Sequence, residues 1–432
     1  MTIINGNYKE NKLDNGLVVA LQNTPTQTIA SKFRINFGSY HEEKGEEGMA
    51  HFLEHCLCTS GSEKYTPIQA DKIRRSFGFF NATTTIGRTF LVGQMLTEEF
   101  ENWLDYLSSQ IFHPRFDVER VEGERKRVLR EIADNKSSFI YEIDKAIDKV
   151  FYRGHPKQIS TLGNEEVIKN VTISKLKEFY SCGFHPNNIE FIAAGGLPEN
   201  SEELVKKYFG IAPKGNETRV KFPELKPLEE KAIFHRYAPE RCNSENPQES
   251  SGQLFLMTAC PGDGHPDEYA IRAMSLLLGG DTNSFLYQNI GLKKGLAYNV
   301  SSSYNGFYNC GELKINADIP AIKIDESVDA IFEEIERIKN KKVSEFEVER
   351  IKKIAKYNIA KSFETNEGHI SAIELKLDEG FTPETHLRKY DEVTPEKIQY
   401  VANKYLPDKE NGKYILYIGD PLKQKEVLTE MS

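Results

Sequence analysis

No stretch of 18 consecutive apolar residues occurs in this 432-residue chain, so no membrane-spanning helix is expected. The opening segment, Met1 to Lys12, lacks the apolar core of a secretory signal. Cysteine is scarce: six residues scattered over this length make no disulfide framework and point to a reduced, cytoplasmic setting. Positive charge is in deficit, with 56 Lys and Arg against 65 Asp and Glu, a net charge of −9. A nucleic-acid binder would show the opposite balance. What remains is ordinary for a soluble globular protein, 39% hydrophobic and 28% charged. The length exceeds what one hydrophobic core supports, so two or more domains are expected.

The most informative stretch is Gly48 to Gly61, Gly-Met-Ala-His-Phe-Leu-Glu-His-Cys-Leu-Cys-Thr-Ser-Gly. As a helix it places His51, Glu54 and His55 at i, i+3 and i+4, on one face. Met49, Phe52, Leu53 and Leu57 take most of the other positions. Two imidazoles one turn apart can grip one Zn²⁺, and a carboxylate beside them can take a proton from a water. The order His-x-x-Glu-His inverts a zinc-protease signature. With three fixed positions in five, it equally describes a polar trio on an amphipathic helix, so a third ligand from elsewhere has to complete it. Cys56 and Cys58 follow closely; Cys56 falls on the apolar side and reads as a small core residue.

Around this stretch, residues 13–37 read as two antiparallel strands about Leu17–Leu21 and Phe33–Phe37, and 66–77 as a short helix. Phe79 to Leu96 reads as two strands, Glu98 to Ile111 as a helix ended by His113-Pro114. A long charged helix follows from Phe116 to about Asn135. On it Glu124 and Glu131 lie two turns apart and share a face, with about 20° of drift. A carboxylate from this second helix would complete a His₂Glu set with a position left for water. The alternative is that these glutamates are solvated partners of Arg125, Lys126, Arg127 and Arg130. Helical patterns over Tyr141–Tyr152 and Ser174–Tyr180 and a strand at Ile189–Gly195 close the half. Pro213 to about Glu229 reads as a linker.

Phe116-Asp-Val-Glu-Arg-Val121 recurs as Phe346-Glu-Val-Glu-Arg-Ile351, an offset of 346 − 116 = 230. Each copy follows a helix (98–111, then 324–339), and each half closes with a Thr-started helix and a strand (172–195, then 394–419). A duplicated α+β domain explains this pattern: residues 1–218 form an N-terminal metal-bearing domain, 219–232 a linker, and 233–432 a homologous non-catalytic domain. At the same offset Glu131 falls on Lys361 and Glu124 on Ile354, and Asp267–Leu278 carries no His-x-x-Glu-His. Only the first half can hold a metal by this route.

These residues resemble the inverted zinc peptidases of the pitrilysin and mitochondrial processing peptidase family, most closely its single-chain bacterial members. The likeness rests on Gly38-Ser39, His41-Glu42, Gly48-x-Ala50-His51-Phe52-Leu53-Glu54-His55, Asn81-Ala82, Glu124 with Glu131, Asn188, Gly279-Gly280 and Gly295-Leu296-Ala297-Tyr298, and so spans both halves. The separation of His55 from Glu131, 131 − 55 = 76, matches the family spacing. The resemblance implies His51, His55 and Glu131 as ligands of one Zn²⁺ per chain, Glu54 as general base, and Glu124 as a carboxylate supporting a ligand. It implies two tandem homologous α/β-sandwich domains, mostly antiparallel sheet with helices packed on it, forming half of a clamshell chamber. It also implies peptide substrates added to a sheet edge, the strand around Phe79–Thr85 with Phe80, Asn81, Ala82 and Thr83. Tyr298 would belong to an arginine–tyrosine pair that steadies substrate carbonyls.

One departure stands out. The family arginine seven residues before that tyrosine is here Gly291 (298 − 7). Either Lys293 or Lys294 substitutes, without the arginine fork, or a related chain supplies the pair in a heterodimer, or the arginine is dispensable. The expected activity is zinc endopeptidase cleavage of short or unfolded peptides by a homodimer or heterodimer. The competing reading is a non-catalytic or partner-dependent subunit of a peptidase or assembly.

Overall fold

The computed structural model describes residues 7–138, 141–216, 223–226, 228–307, 309–423 and 429–431. The linker expected at 219–232 lies partly outside them. By its contacts the chain divides into two compact units. The first comprises Met1–Ser137, Ile159–Lys221 and Ile359–Glu384; the second comprises Ser138–Gln158, Phe222–Asn358 and Thr385–Ser432. Each unit therefore draws one segment from the other half of the sequence.

Among the described residues the first unit holds a six-stranded sheet made of β1 (Tyr8–Lys12), β2 (Val18–Asn23), β3 (Thr28–Ile35), β4 (Phe79–Thr84), β5 (Thr89–Leu96) and β6 (Ile189–Gly195). The spatial order is β1-β2-β6-β3-β5-β4. The two strands expected within 13–37 are present and run antiparallel, but they are not neighbours. β6 lies between them, parallel to β2 and antiparallel to β3. Strand alternation alone cannot reveal a partner that arrives more than 150 residues later, which is why the sequence hides this insertion.

Helices α1 (Met49–Thr59), α2 (Pro67–Arg74), α3 (Phe100–Phe112) and α4 (Val118–Lys136) follow the expected pattern. α2 starts at a capping box, Thr66 with Gln69, and carries Pro67 in its first turn. Asp117 caps α4 by accepting from the Arg120 amide. One core gathers Phe52 and Leu53 of α1, Trp103 of α3, Val128 of α4, and Leu21, Phe33 and Phe191 of the sheet. The opposite sheet face presents Ala20, Ala30, Ile192 and Ala194 to Ile370 and Ile373, which come from a helix far down the chain.

The second unit includes helix α5 (Tyr141–Phe151). In the first, α6 (Glu165–Asn170), α7 (Ile173–Gly183) and α8 (Ser201–Phe209) complete the first half of the sequence. The second sheet consists of β7 (Ala232–Tyr237), β8 (Ser251–Cys260), β9 (Asn299–Phe307), β10 (Cys310–Pro320), β11 (Ile415–Asp420) and β12 (Thr429–Met431), in the order β12-β7-β11-β8-β10-β9. Put β7 on β2, β8 on β3, and so on to β11 on β6, and this is the first sheet's order with the sixth strand taken from the other end of the chain. The fold is thus α+β and duplicated, as the repeat implied.

Helices α9 (Glu268–Gly279), α10 (Ile324–Asn340), α11 (Glu345–Ser362), α12 (Asn366–Glu379), α13 (Pro383–Asp391) and α14 (Pro395–Tyr405) complete the chain. α12 supplies Ile370 and Ile373 to the first unit's outer sheet face. α5 buries Ile143, Ile147 and Phe151 against the second sheet.

Candidate metal centre

α1 starts where the chain needs a left-handed turn. Gly48 has φ +96°, and a Cβ there would lie 2.8 Å from the Leu162 carbonyl and 2.9 Å from Gly163 Cα, so only glycine fits. Its free amides are met by Glu42, whose carboxylate accepts from the amides of Gly48 and Ala50, both at 2.9 Å. Burial pushes the Glu42 carboxyl up to about 8, with those two amides pulling the other way. Glu42 gave no sign of this capping role in sequence, because it lies seven residues before Met49, the first of the helix.

α1 packs its apolar residues into the core and leaves His51 and His55 facing α4, with Glu54 turned to β4. The side chains of His51, His55 and Glu131 come together, their candidate ligand atoms all within 4.8 Å of one another. The two imidazole Nε2 atoms are 3.1 Å apart, and Glu131 Oε2 is 3.6 Å from each. Ligands at about 2.0–2.1 Å from a tetrahedral Zn²⁺ are separated by about 3.3 Å, so this triangle has the size such an ion requires. Burial, with His55 and Arg127 nearby, lowers His51 to about 4 and keeps its imidazole neutral. Two ring nitrogens facing at 3.1 Å need a cation or a proton between them, since their lone pairs repel. The donor set fits the metal.

Glu124 lies one step outward. His55 Nδ1 donates to Glu124 Oε2 at 2.9 Å, which fixes the ring and leaves Nε2 as the lone-pair atom facing inward. Burial raises the Glu124 carboxyl, but the bond from His55 and the charge of Arg127 bring it below the usual range. The corresponding atom of the other imidazole, His51 Nδ1, is buried with no hydrogen-bond partner among the described residues.

Glu54 is 7% exposed, and its Oε2 accepts from the Thr84 hydroxyl at 2.7 Å. Burial raises its carboxyl above the ordinary carboxylate range despite that bond. Thr84 ends β4, which among the described residues has a strand neighbour on one side only. Thr84 belongs with the site, yet nothing in the run Thr83-Thr84-Thr85 marks which threonine reaches Glu54; the strand register decides it. Phe80, Ala82 and Thr84 point toward α1 and α3, whereas Asn81 and Thr83 are exposed on the other face. A cavity of about 430 Å³ lies between β4 and the His-His-Glu triangle. Arg74 and Arg127 also reach it, and the charged helix pattern gave no reason to single them out.

Cys56 is fully buried and Cys58 nearly so. Burial raises both thiols, so neither offers a thiolate. All six cysteines are free. Among the described residues no helix is long and apolar enough to cross a membrane.

Tyr298 stands in the second unit, just before β9, and is 64% exposed. Gly291 sits within a π-helical turn, Tyr287–Lys293. Neither nearby lysine is idle: Lys293 donates to Asn289 Oδ1 at 2.8 Å, and Lys294 pairs with Glu333. In the same unit, α9 occupies the place that α1 has in the first, and presents Ala270, Met274 and Leu277 to the core.

A duplicated α/β chain with, among the described residues, a two-histidine, one-carboxylate cluster in one copy alone is the class defined by this fold and site. Residues 17–165 match the family described as insulinase (peptidase family M16), and residues 170–355 match the peptidase M16 inactive domain. The chain belongs to peptidase family M16. It is similar to an uncharacterized zinc protease of Bacillus subtilis, 26% identical over 398 residues, covering 90% of this chain and 93% of that protein. An uncharacterized zinc protease of Rickettsia bellii is 26% identical over 364 residues, 82% of this chain and 83% of the relative. In fold it resembles a protease from Helicobacter pylori, with a TM-score of 0.81 at 22% identity, covering 96% of this chain and 99% of that one.

Proposed function

We propose that this chain is a zinc-dependent endopeptidase that hydrolyses short or unfolded peptides, in a chamber formed with a second copy or a related chain. The observation that carries the reading is the triangle of His51, His55 and Glu131 at 3.1, 3.6 and 3.6 Å. One Zn²⁺ bound there would supply Lewis acidity, acidifying a water and polarising the scissile carbonyl. Glu54 takes the proton of the attacking water and returns it to the leaving amine. Thr84 holds Glu54 in place, and Glu124 orients His55. The open edge of β4, over Phe80 to Thr83, takes the peptide by main-chain pairing, which asks little of its sequence.

In this reading residues 1–218 bear the metal, and 233–432, joined by 219–232, form the non-catalytic copy. Support for that division comes from Lys361 and Ile354, which stand where the ligand and its supporting glutamate would be. A cytoplasmic location accords with the free cysteines. The test is Glu54→Gln: zinc content should stay at about one per chain while cleavage of a quenched peptide is lost. Undiminished turnover would remove Glu54 from the chemistry.

A partner-dependent form of the same activity has its own support. Gly291 replaces the arginine, and Lys293 and Lys294 are each engaged by a neighbour, so a related chain is the natural source of an arginine–tyrosine pair. Robust cleavage by the chain alone would dispose of it.

A further inference from the structure

The cavity beside the metal triangle has charged walls that the peptidase chemistry does not use. Arg74, at the end of α2, and Arg127, on α4 between Glu124 and Glu131, both reach into it. We propose that Arg74 and Arg127 make this cavity a selectivity pocket for a carboxylate side chain, Asp or Glu, close to the scissile bond of the substrate. The proposal rests on the peptidase reading of the same site and adds a substrate class to it.

Neighbouring strands of a sheet point side chains at the same register to the same face. A peptide added at the free edge of β4 therefore directs the residues opposite Phe80 and Ala82 toward α1 and α3, into the cavity. Thr84, two residues beyond Ala82, is bonded to Glu54 at 2.7 Å. The residues that enter the cavity thus lie within a few positions of the bond that Glu54 serves.

Both guanidiniums retain capacity for a ligand. Arg74 is held by Asp71 at 2.8 Å and lies over the Phe80 ring at 5.7 Å. Asp71 is shared with Arg120, 3.7 Å away, so the three groups carry one net positive charge. Arg127 is 3.7 Å from Glu124 Oε2 and 3.5 Å from Glu131 Oε1, and its side chain is 63% exposed. Glu124 is already bonded to His55, and Glu131 is a proposed ion ligand, so neither satisfies the five donors of Arg127. A carboxylate meets those donors in the fork geometry that guanidinium favours, while the cavity's own carboxylates, Glu54, Glu124 and Glu131, are engaged by Thr84, His55 and the proposed ion.

The test uses the full-length chain as Glu54→Gln, loaded with zinc, and labelled peptides that differ only at one position near the cleaved bond, as Glu, Gln or Lys. Fluorescence anisotropy should show the Glu peptide binding about tenfold tighter than Gln, with Lys weaker still. Arg74→Gln should shrink the Glu-over-Gln preference to near unity with zinc content unchanged. Equal affinity for the three peptides overturns the pocket. Hydrolysis by the unaltered chain is followed in parallel: selective binding without any cleavage would overturn the peptidase reading and uphold the pocket.

Discussion

The Thr84 hydroxyl donates to Glu54 Oε2 at 2.7 Å, so the end of the edge strand and the carboxylate of the motif helix are joined directly. Glu54 is buried there, and a buried carboxylate without a donor is costly. The bond makes the strand that would bind a peptide also the element that would aim Glu54 as the proposed base.

Thr84→Val should lower kcat about tenfold or more, since a hydrogen bond to a charged group is worth about 1.5–3 kcal/mol. Zinc content should not change. Thr84→Ser restores the hydroxyl and should recover most of the rate. Peptide turnover and metal analysis on the two variants, side by side, distinguish lost aim from general damage.

Glu124→Gln keeps an acceptor for His55 Nδ1–H but removes the charge. Zinc affinity should fall by about 10–100-fold, the usual consequence of weakening a ligand's support. Competition with a chromogenic chelator measures it. An unchanged Kd would mean that Glu124 serves only to hold the helices together.

Zinc should stabilise the fold, because the three proposed ligands come from two helices that meet only in the native state. At a hundredfold excess over Kd the gain is about 2.7 kcal/mol, or a rise in Tm of about 3–6 °C. Chelator should reverse it. Glu131→Gln should remove most of the zinc-dependent rise while leaving the metal-free Tm nearly as it was, since Glu131 is a half-exposed residue outside the core.

Acid should loosen the seat of α12 on the first sheet. Arg34, fully buried, reaches Asp378 Oδ1 at 2.5 Å, and Arg88 grips the same carboxylate with contacts of 2.6 and 2.9 Å. Burial opposes the Asp378 charge, but the two arginines more than offset it and hold the carboxyl below its ordinary 3.8. A carboxyl with a depressed folded pKa contributes stability above its unfolded value and loses it as pH falls through the folded one. Asp378→Asn should therefore lower stability near neutral pH and flatten the acid limb below about pH 4. Urea midpoints of the two proteins across that range should converge at the acid end.

Much of this protein was legible in its sequence because the signals are local or periodic. The His-x-x-Glu-His spacing puts three side chains on one face of any helix that forms there. The seven-residue gap between Glu124 and Glu131 does the same on α4, and the recurrence at an offset of 230 announces two copies of one fold. Helical and strand periods depend on neighbours a few residues away, so the chain itself dictates them.

The tertiary structure alone decided the rest. It set β6 between β2 and β3, sent α5 and α12 into the unit opposite to their own half of the sequence, and chose Thr84 out of three threonines to meet Glu54. It brought Glu131 within 3.6 Å of both imidazoles across a gap of 76 residues, 131 − 55, and turned Arg74 and Arg127 onto one cavity. Each of these depends on packing between elements distant in the chain. Shape and burial in the folded core select such pairings; the 76-residue separation pointed to Glu131 only through the family resemblance, and for the others spacing along the backbone carries no trace.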